Sequence, residues 1–270
     1  MIMRRMLAII GLTLFAIAPP ETFAENGQDL GAYKLRIDGL WWFSHPTGNF
    51  YGKDDEGSFN VNRDFGFGNY STFSGLVDWR FKRKHHLLFG VSPITSQKTV
   101  TLGRTIEFNG QTYDVGAVVD ANIKTLSFAP GYQYDIFRRN TWYLAIATQC
   151  NLLRTSAKLS AVGTVGGQSA STTASGSFFA PLPIFGPRAE WYPVRNSDRF
   201  YLNGAAQGMY FFGYGDFVSA RGGFAIKANP HLRFLGGYQM GSRLSFHGSS
   251  NQIGARLTQQ GPTAGIQASW

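Results

Sequence analysis

The sequence predicts an all-β chain: a transmembrane antiparallel up-and-down β-barrel of about ten strands, eight and twelve also fitting, with periplasmic termini. Three observations carry this. Apolar residues recur at every second position, tight turns alternate with long connections, and the last alternating segment closes on an aromatic, Trp270. Period two puts alternate side chains on opposite faces of a strand, so one face can meet lipid while the other fills a lumen.

Residues 1–24 read as a signal peptide: Arg4 and Arg5 precede an apolar run over residues 7–18, followed by Pro19, Pro20 and the small-residue site Thr22-Phe23-Ala24. A run of that length is too short for a membrane helix, which takes about 20 residues, so export with cleavage after Ala24 is expected. The single cysteine, Cys150, lies far from that site, which argues against lipid attachment and leaves no internal disulfide. Residues 25–270 then form one barrel domain bound for a bacterial outer membrane. The expected partners on that route are periplasmic chaperones and the barrel-assembly machinery, with Trp270 as the assembly signal.

Composition agrees with this reading. The chain holds 23 Phe, 12 Tyr, 6 Trp and 33 Gly at a mean hydropathy of −0.14. A helical membrane protein needs long apolar runs, whereas a barrel needs only alternate apolar residues. Loss of Arg4, Arg5 and Glu21 with the leader leaves 23 basic and 15 acidic residues, a formal charge of +8. That balance suits acidic lipopolysaccharide or an anionic solute, and no motif points to nucleic acid.

Along the chain, residues 33–44 set Leu35, Ile37, Trp41 and Phe43 against Lys34, Arg36 and Asp38. Residues 201–212 set Leu202, Ala206 and Tyr210 against Tyr201, Asn203 and Gln207, and residues 217–227 set Val218, Phe224 and Ile226 against Ser219, Arg221 and Lys227. Residues 231–243 place Leu232, Phe234, Tyr238 and Met240 outward, with Arg233, Gln239 and Arg243 inward. The last strand turns Ala264, Ile266, Ala268 and Trp270 outward and Thr263, Gly265, Gln267 and Ser269 inward. The inward sets are sparse in charge, as a narrow lumen requires.

Tight periplasmic turns are expected at 82–84, 138–140, 195–198 and 228–230, and longer extracellular connections at 45–70, 99–116, 160–176 and 247–254, with a short one at 213–216. Asn109-Gly110 between Ile106-Glu107-Phe108 and Gln111-Thr112-Tyr113 signals a hairpin projecting above the membrane. Residues 160–176, rich in Gly, Ser and Thr, read as a flexible loop.

A narrower likeness follows from residues 57–68 (GSFNVNRDFGFG), the basic turn Phe81-Lys82-Arg83-Lys84-His85-His86, residues 104–116 (RTIEFNGQTYDVG), and the later Gly237-Tyr238 and Gly261-Pro262 segments. In these the chain resembles a group of small, largely uncharacterised bacterial outer-membrane β-barrel proteins. The resemblance implies the barrel fold and transfers no catalytic residue.

For function, the first expectation is a barrel of structural or surface-interaction type, its loops contacting lipopolysaccharide or an external ligand, without catalysis, cofactor or metal. The second is a small anion-favouring channel. It rests on an inward polar network of Arg36, Asp38, Asp78, Arg80, Arg188, Glu190, Arg221, Arg233 and Arg243, whose arginines outnumber its acids. As a purely structural set, these charges would pair across the lumen. The third is a surface hydrolase, protease or lipid A-modifying, in which His45 and His247 approach across the seam and Asp54 or Asp55 helps activate water, as in omptin-type proteases. Solvated loop residues explain the same four positions, and no omptin motif or G-x-S-x-G elbow is present. His85, His86 and His231 are expected at the periplasmic interface.

Overall fold

A computed structural model describes residues 32–54, 57–165, 168–211, 215–247 and 252–270. The segment expected to be a signal peptide and Asp55 lie outside the described residues. In chain order the strands are β1 (Leu35–Lys53), β2 (Gly57–Asn60), β3 (Tyr70–Lys82), β4 (His85–Thr101), β5 (Ile106–Phe108), β6 (Gln111–Tyr113) and β7 (Val118–Arg139). They continue with β8 (Trp142–Val165), β9 (Gln168–Trp191), β10 (Phe200–Phe211), β11 (Gly215–Lys227), β12 (Leu232–Phe246) and β13 (Ile253–Ser269).

Ten of these close into an antiparallel barrel in the order β1-β3-β4-β7-β8-β9-β10-β11-β12-β13, with β13 pairing back onto β1. At the seam Ile37 faces Ala268 and Trp41 faces Ala264, while Trp270 exchanges backbone hydrogen bonds with Leu35. Closure leaves no sheet edge in the membrane, where an unpaired backbone group would cost several kcal/mol, about the price of a lost hydrogen bond in hydrocarbon. The fold class expected from the alternation is the one observed, and β2, β5 and β6 are additions in the loops.

Every second residue of the ladder points outward, and through its middle these residues are mostly apolar. Ile37, Trp41, Phe43, Phe73, Phe89, Leu126, Phe128, Phe179, Phe185, Phe224, Phe234 and Ile266 are all exposed, Phe185 at 61%. A continuous apolar surface of this extent is incompatible with a monomer in water and fits a lipid-facing belt. Trp79, Trp142, Trp191 and Trp270 gather at the rim on the side of the chain's C-terminal residue, as indole rings favour an interface.

The connections differ from expectation in three places. Strand β1 runs on to Lys53 and β8 pairs with β9 as far as Val165 and Gln168, so segments read as loops are rising ladder. Thr and Ser tolerate strands when cross-strand pairing is continuous, and composition alone concealed that. The hairpin at Asn109-Gly110 forms, with both residues at positive φ (53° and 75°), as a two-residue turn between right-twisted strands requires. It does not project. Strand β5 pairs with β2, and Ile106, Phe108 and Tyr113 are buried over the barrel mouth. Gly57 sits at φ 68° where a Cβ would meet the Glu107 carbonyl oxygen at 2.4 Å, so this close pairing admits only glycine.

The third difference is a β-bulge in β12 between Gln239 and Ser242. One extra residue inverts the facing of everything beyond it. Arg243, expected in the lumen, therefore lies opposite outward Val218 and binds Asp216 at 2.7 and 2.9 Å on the exterior.

Candidate functional site

The lumen is filled at two levels. Near the end that holds Leu35 and Trp270, inward residues of β1, β3, β4, β7, β8 and β9 build a buried polar network. Arg36 on β1 meets Glu190 on β9, five strands away around a ring of ten, so the ion pair spans the barrel. Tyr143 donates to the same carboxylate at 2.9 Å and Tyr192 at 3.4 Å, while the Arg36 guanidinium lies 3.9 Å above the Tyr33 ring. Tyr33 in turn donates to Asp78 at 2.9 Å.

His86 completes the network. Its Nδ1 lies 2.7 Å from Asp78 and its Nε2 3.2 Å from Asp135, so both contacts are hydrogen bonds when each ring nitrogen carries a proton. Asp135 also receives Arg138 at 2.5 Å and Gln133 at 2.9 Å, and Arg188 donates to Gln133 at 2.8 Å. Around the wall, Tyr201 binds Gln267, which binds Asp38; Arg233 binds Ser269 and the turn residue Asp198. Burial alone would raise the Asp198 carboxyl, but Lys227 and Arg233 hold it below its ordinary value.

The inward residues of separate strands thus meet inside the barrel. Arg36, Asp38, Asp78, Arg188, Glu190 and Arg233 belong to the network, and Arg80 lies 5.3 Å from the Tyr33 ring centre. Arg221 stands higher, lining two adjoining cavities of about 120 and 190 Å³ with Arg188 and Gln239, and among the described residues it has no hydrogen bond or ion pair. Reading the sequence missed His86, Asp135, Arg138 and the tyrosines 33, 143 and 192, while Tyr201 was placed inward without a partner. His86 was expected at the interface; it is fully buried, because position 86 continues the inward parity of Leu88. The same parity over Gln133 and Asp135 was the available signal.

Above the cavities the interior becomes carbon. Phe50, Phe59, Phe65, Phe67, Ile106 and Phe108 from β1 and the first two loops pack on Leu159, Phe178, Leu182 and Ile253 of the walls. Phe178 stacks on Phe246 across the mouth at 5.0 Å. The cap is fastened by one buried carboxylate: Asp64 accepts Arg104 at 2.7 and 2.8 Å and the Asn60 amide at 2.7 Å. Burial would raise the Asp64 carboxyl, but these hydrogen bonds and that of Arg63 keep it below its ordinary value.

The proposed hydrolytic residues do not converge. His45 is exposed on the outward face of β1, its Nδ1 2.7 Å from Asn69. It pairs in register with Gln260, whereas His247 follows Phe246, which pairs with Ala255. That offset is roughly 20 Å of ladder at about 3.3 Å per residue. Asp54 sits in a turn at φ 51°, beyond the end of β1 and farther still from His45. Among the described residues no group of three or more His, Cys, Asp or Glu could hold a metal ion.

No family model matches the sequence, and no curated protein matches it. Solved structures do. The outer-membrane protease OmpT of Escherichia coli superposes with a TM-score of 0.55 over 92% of this chain and 100% of its own, at 10% identity. The fold is that of an outer-membrane barrel. Looser likenesses are the toluene transporter TodX of P. putida (TM-score 0.38, 7% identity, 88% and 90% of the chains) and the attachment invasion locus protein Ail of Yersinia pestis (0.35, 11%, 87% and 99%). At such identities the likeness extends to architecture alone.

Proposed function

We propose that this protein resides in a bacterial outer membrane as a barrel of structural or surface-interaction type, closed to diffusion, with a capped mouth and a tall β8–β9 hairpin facing outward. The observation that carries this reading is the double filling of the lumen. The Arg36–Glu190 pair crosses the periplasmic level, and the aromatic cap occupies the other. Buried charges with matched partners hold a cross-section shut, because separating them leaves desolvated charge. The apolar belt supports the membrane setting.

Expressed in a Gram-negative host, the protein is expected in outer-membrane fractions, with heat-modifiable migration and a protease-resistant core. Purified protein in planar bilayers is expected to show no steady conductance. Recovery as a soluble periplasmic protein would defeat the membrane assignment, and a reproducible conductance the closed lumen. An anion-favouring path is the second reading, and its support is Arg36, Arg188 and Arg221 against two carboxylates, Asp38 and Glu190, at the cavities. Anion-selective current abolished by Arg221→Gln would establish it in place of the first.

A further inference from the structure

The outer wall of β7 and β8 carries an arrangement that neither the lumen nor the cap uses. Up this wall the outward residues begin with Trp142 and Ile146 and reach Leu126 and Phe128. Arg154 then faces between Leu126 on β7 and Phe179 on β9. Beyond it the outward positions are Lys124, Ser156, Asn122 and Lys158, bordered by Thr95 and Gln97 of β4 and Ser175 of β9. The wall therefore changes from apolar to cationic at one height. From Trp142 to Arg154 is roughly 30 Å along the membrane normal, at about 3.3 Å per residue and about 40° of tilt, the depth of a hydrocarbon core.

Lys124 is opposite Ser156 in register, which places it diagonally from both Arg154 and Lys158 on one face, at about 7–8 Å, the usual diagonal spacing. All three side chains are exposed, and among the described residues none makes a hydrogen bond or ion pair. Asp120, outward and diagonal to Lys158 by the same register, accepts a hydrogen bond from Thr99. Other cations on the outside and in the turns and loops are matched: Arg243 with Asp216, Lys227 with Asp198, Arg104 with Asp64. Asp120 offsets charge only on the side of Lys158, and Lys124 and Arg154 have no acid beside them in register; adjacent like charges repel one another, and an anion between them removes the repulsion.

We infer that Lys124, Arg154 and Lys158 form a binding site for the phosphate groups of an anionic membrane lipid in the outer leaflet. The inference rests on the outer-membrane reading above. A guanidinium supplies a planar fork for two phosphate oxygens and the two ammonium groups supply point charges. The apolar surface directly beneath, Leu126, Phe128 and Phe179, receives the acyl chains of the same molecule. A free phosphate would gain only the first of these contacts, and an amphiphile gains both.

The test is native mass spectrometry of the full barrel in detergent, titrated with bisphosphorylated lipid A. The wild type is expected to retain bound lipid, and the variant Lys124→Gln/Arg154→Gln/Lys158→Gln to bind roughly a hundredfold more weakly, each basic contact near an anionic surface counting for about fivefold. A control variant, Lys82→Gln/Arg83→Gln/Lys84→Gln at a periplasmic turn, is expected to bind as wild type. Dephosphorylated lipid A should lose the same affinity, and inorganic phosphate should not compete at equal concentration. Equal binding by the triple variant overturns the site, and effective competition by inorganic phosphate or a soluble polyanion overturns its assignment to a lipid. Heat-modifiable migration of each variant confirms folding. Fractionation of the wild type tests the outer-membrane reading separately, since lipid binding in detergent does not depend on cellular location.

Discussion

At the lower level of the lumen, most of the large inward side chains end in polar groups held by named partners, with Leu88 packed among them. Higher up, the same cylinder is filled by phenylalanine and leucine from loops and walls together. The contrast separates two ways of closing a barrel. Charge pairs fix geometry, because each member is costly without its partner, although the pair itself adds little net stability. Apolar packing gains from water exclusion and is non-directional, so it can recruit irregular loop segments such as Phe65 and Phe108.

The largest expected effect comes from splitting the spanning pair. Glu190→Ala leaves Arg36 buried without its carboxylate and deprives Tyr143 and Tyr192 of an acceptor. Urea unfolding in micelles should show a loss of about 3–5 kcal/mol, the usual cost of removing one partner of a buried pair. The double variant Arg36→Met/Glu190→Leu should recover most of it. If Glu190→Ala unfolds like wild type, the polar level is hydrated rather than dry.

Next in size is Phe108→Ala, expected to cost about 3 kcal/mol by transfer and cavity formation. This loss should be local. Limited proteolysis should begin within residues 54–69 and 102–117 while ladder amides keep their exchange protection. Equal loss of protection throughout would make the two levels one cooperative unit.

The smallest effect is an acid response of the cap, of order 1 kcal/mol or less for a partly exposed pair. Asp64 titrates lower folded than unfolded. Its contribution is complete above the unfolded value near 4 and is lost as pH falls through the lower folded value. Cap proteolysis should accelerate only below about pH 4, and Arg104→Ala should weaken that dependence. An acceleration near neutral pH would assign it to another group.

The barrel was legible because lipid on one side and a lumen on the other impose a strict period. Leu202, Tyr210, Phe224 and Ile266 point outward as their spacing requires. What escaped was what the period does not encode. The bulge that sends Arg243 outside has no marker in Gln239-Met240-Gly241-Ser242. The inward fold of Ile106 and Phe108 depends on pairing with Gly57, nearly fifty residues away. His86 looked like part of a basic turn because its neighbours are basic, and only its two carboxylate partners reveal its place.

The Arg36–Glu190 contact joins residues 154 positions apart. It acts as a spoke. Hairpins can pair neighbour by neighbour without it, but the spoke connects only when β1 and β9 face each other across a cylinder whose rim is already complete. A partly assembled sheet therefore carries these two charges unmatched, where they belong in water, and the finished one joins them. In assembly this distinguishes a sheet still open at the β1–β13 seam from one ready to be released into the bilayer.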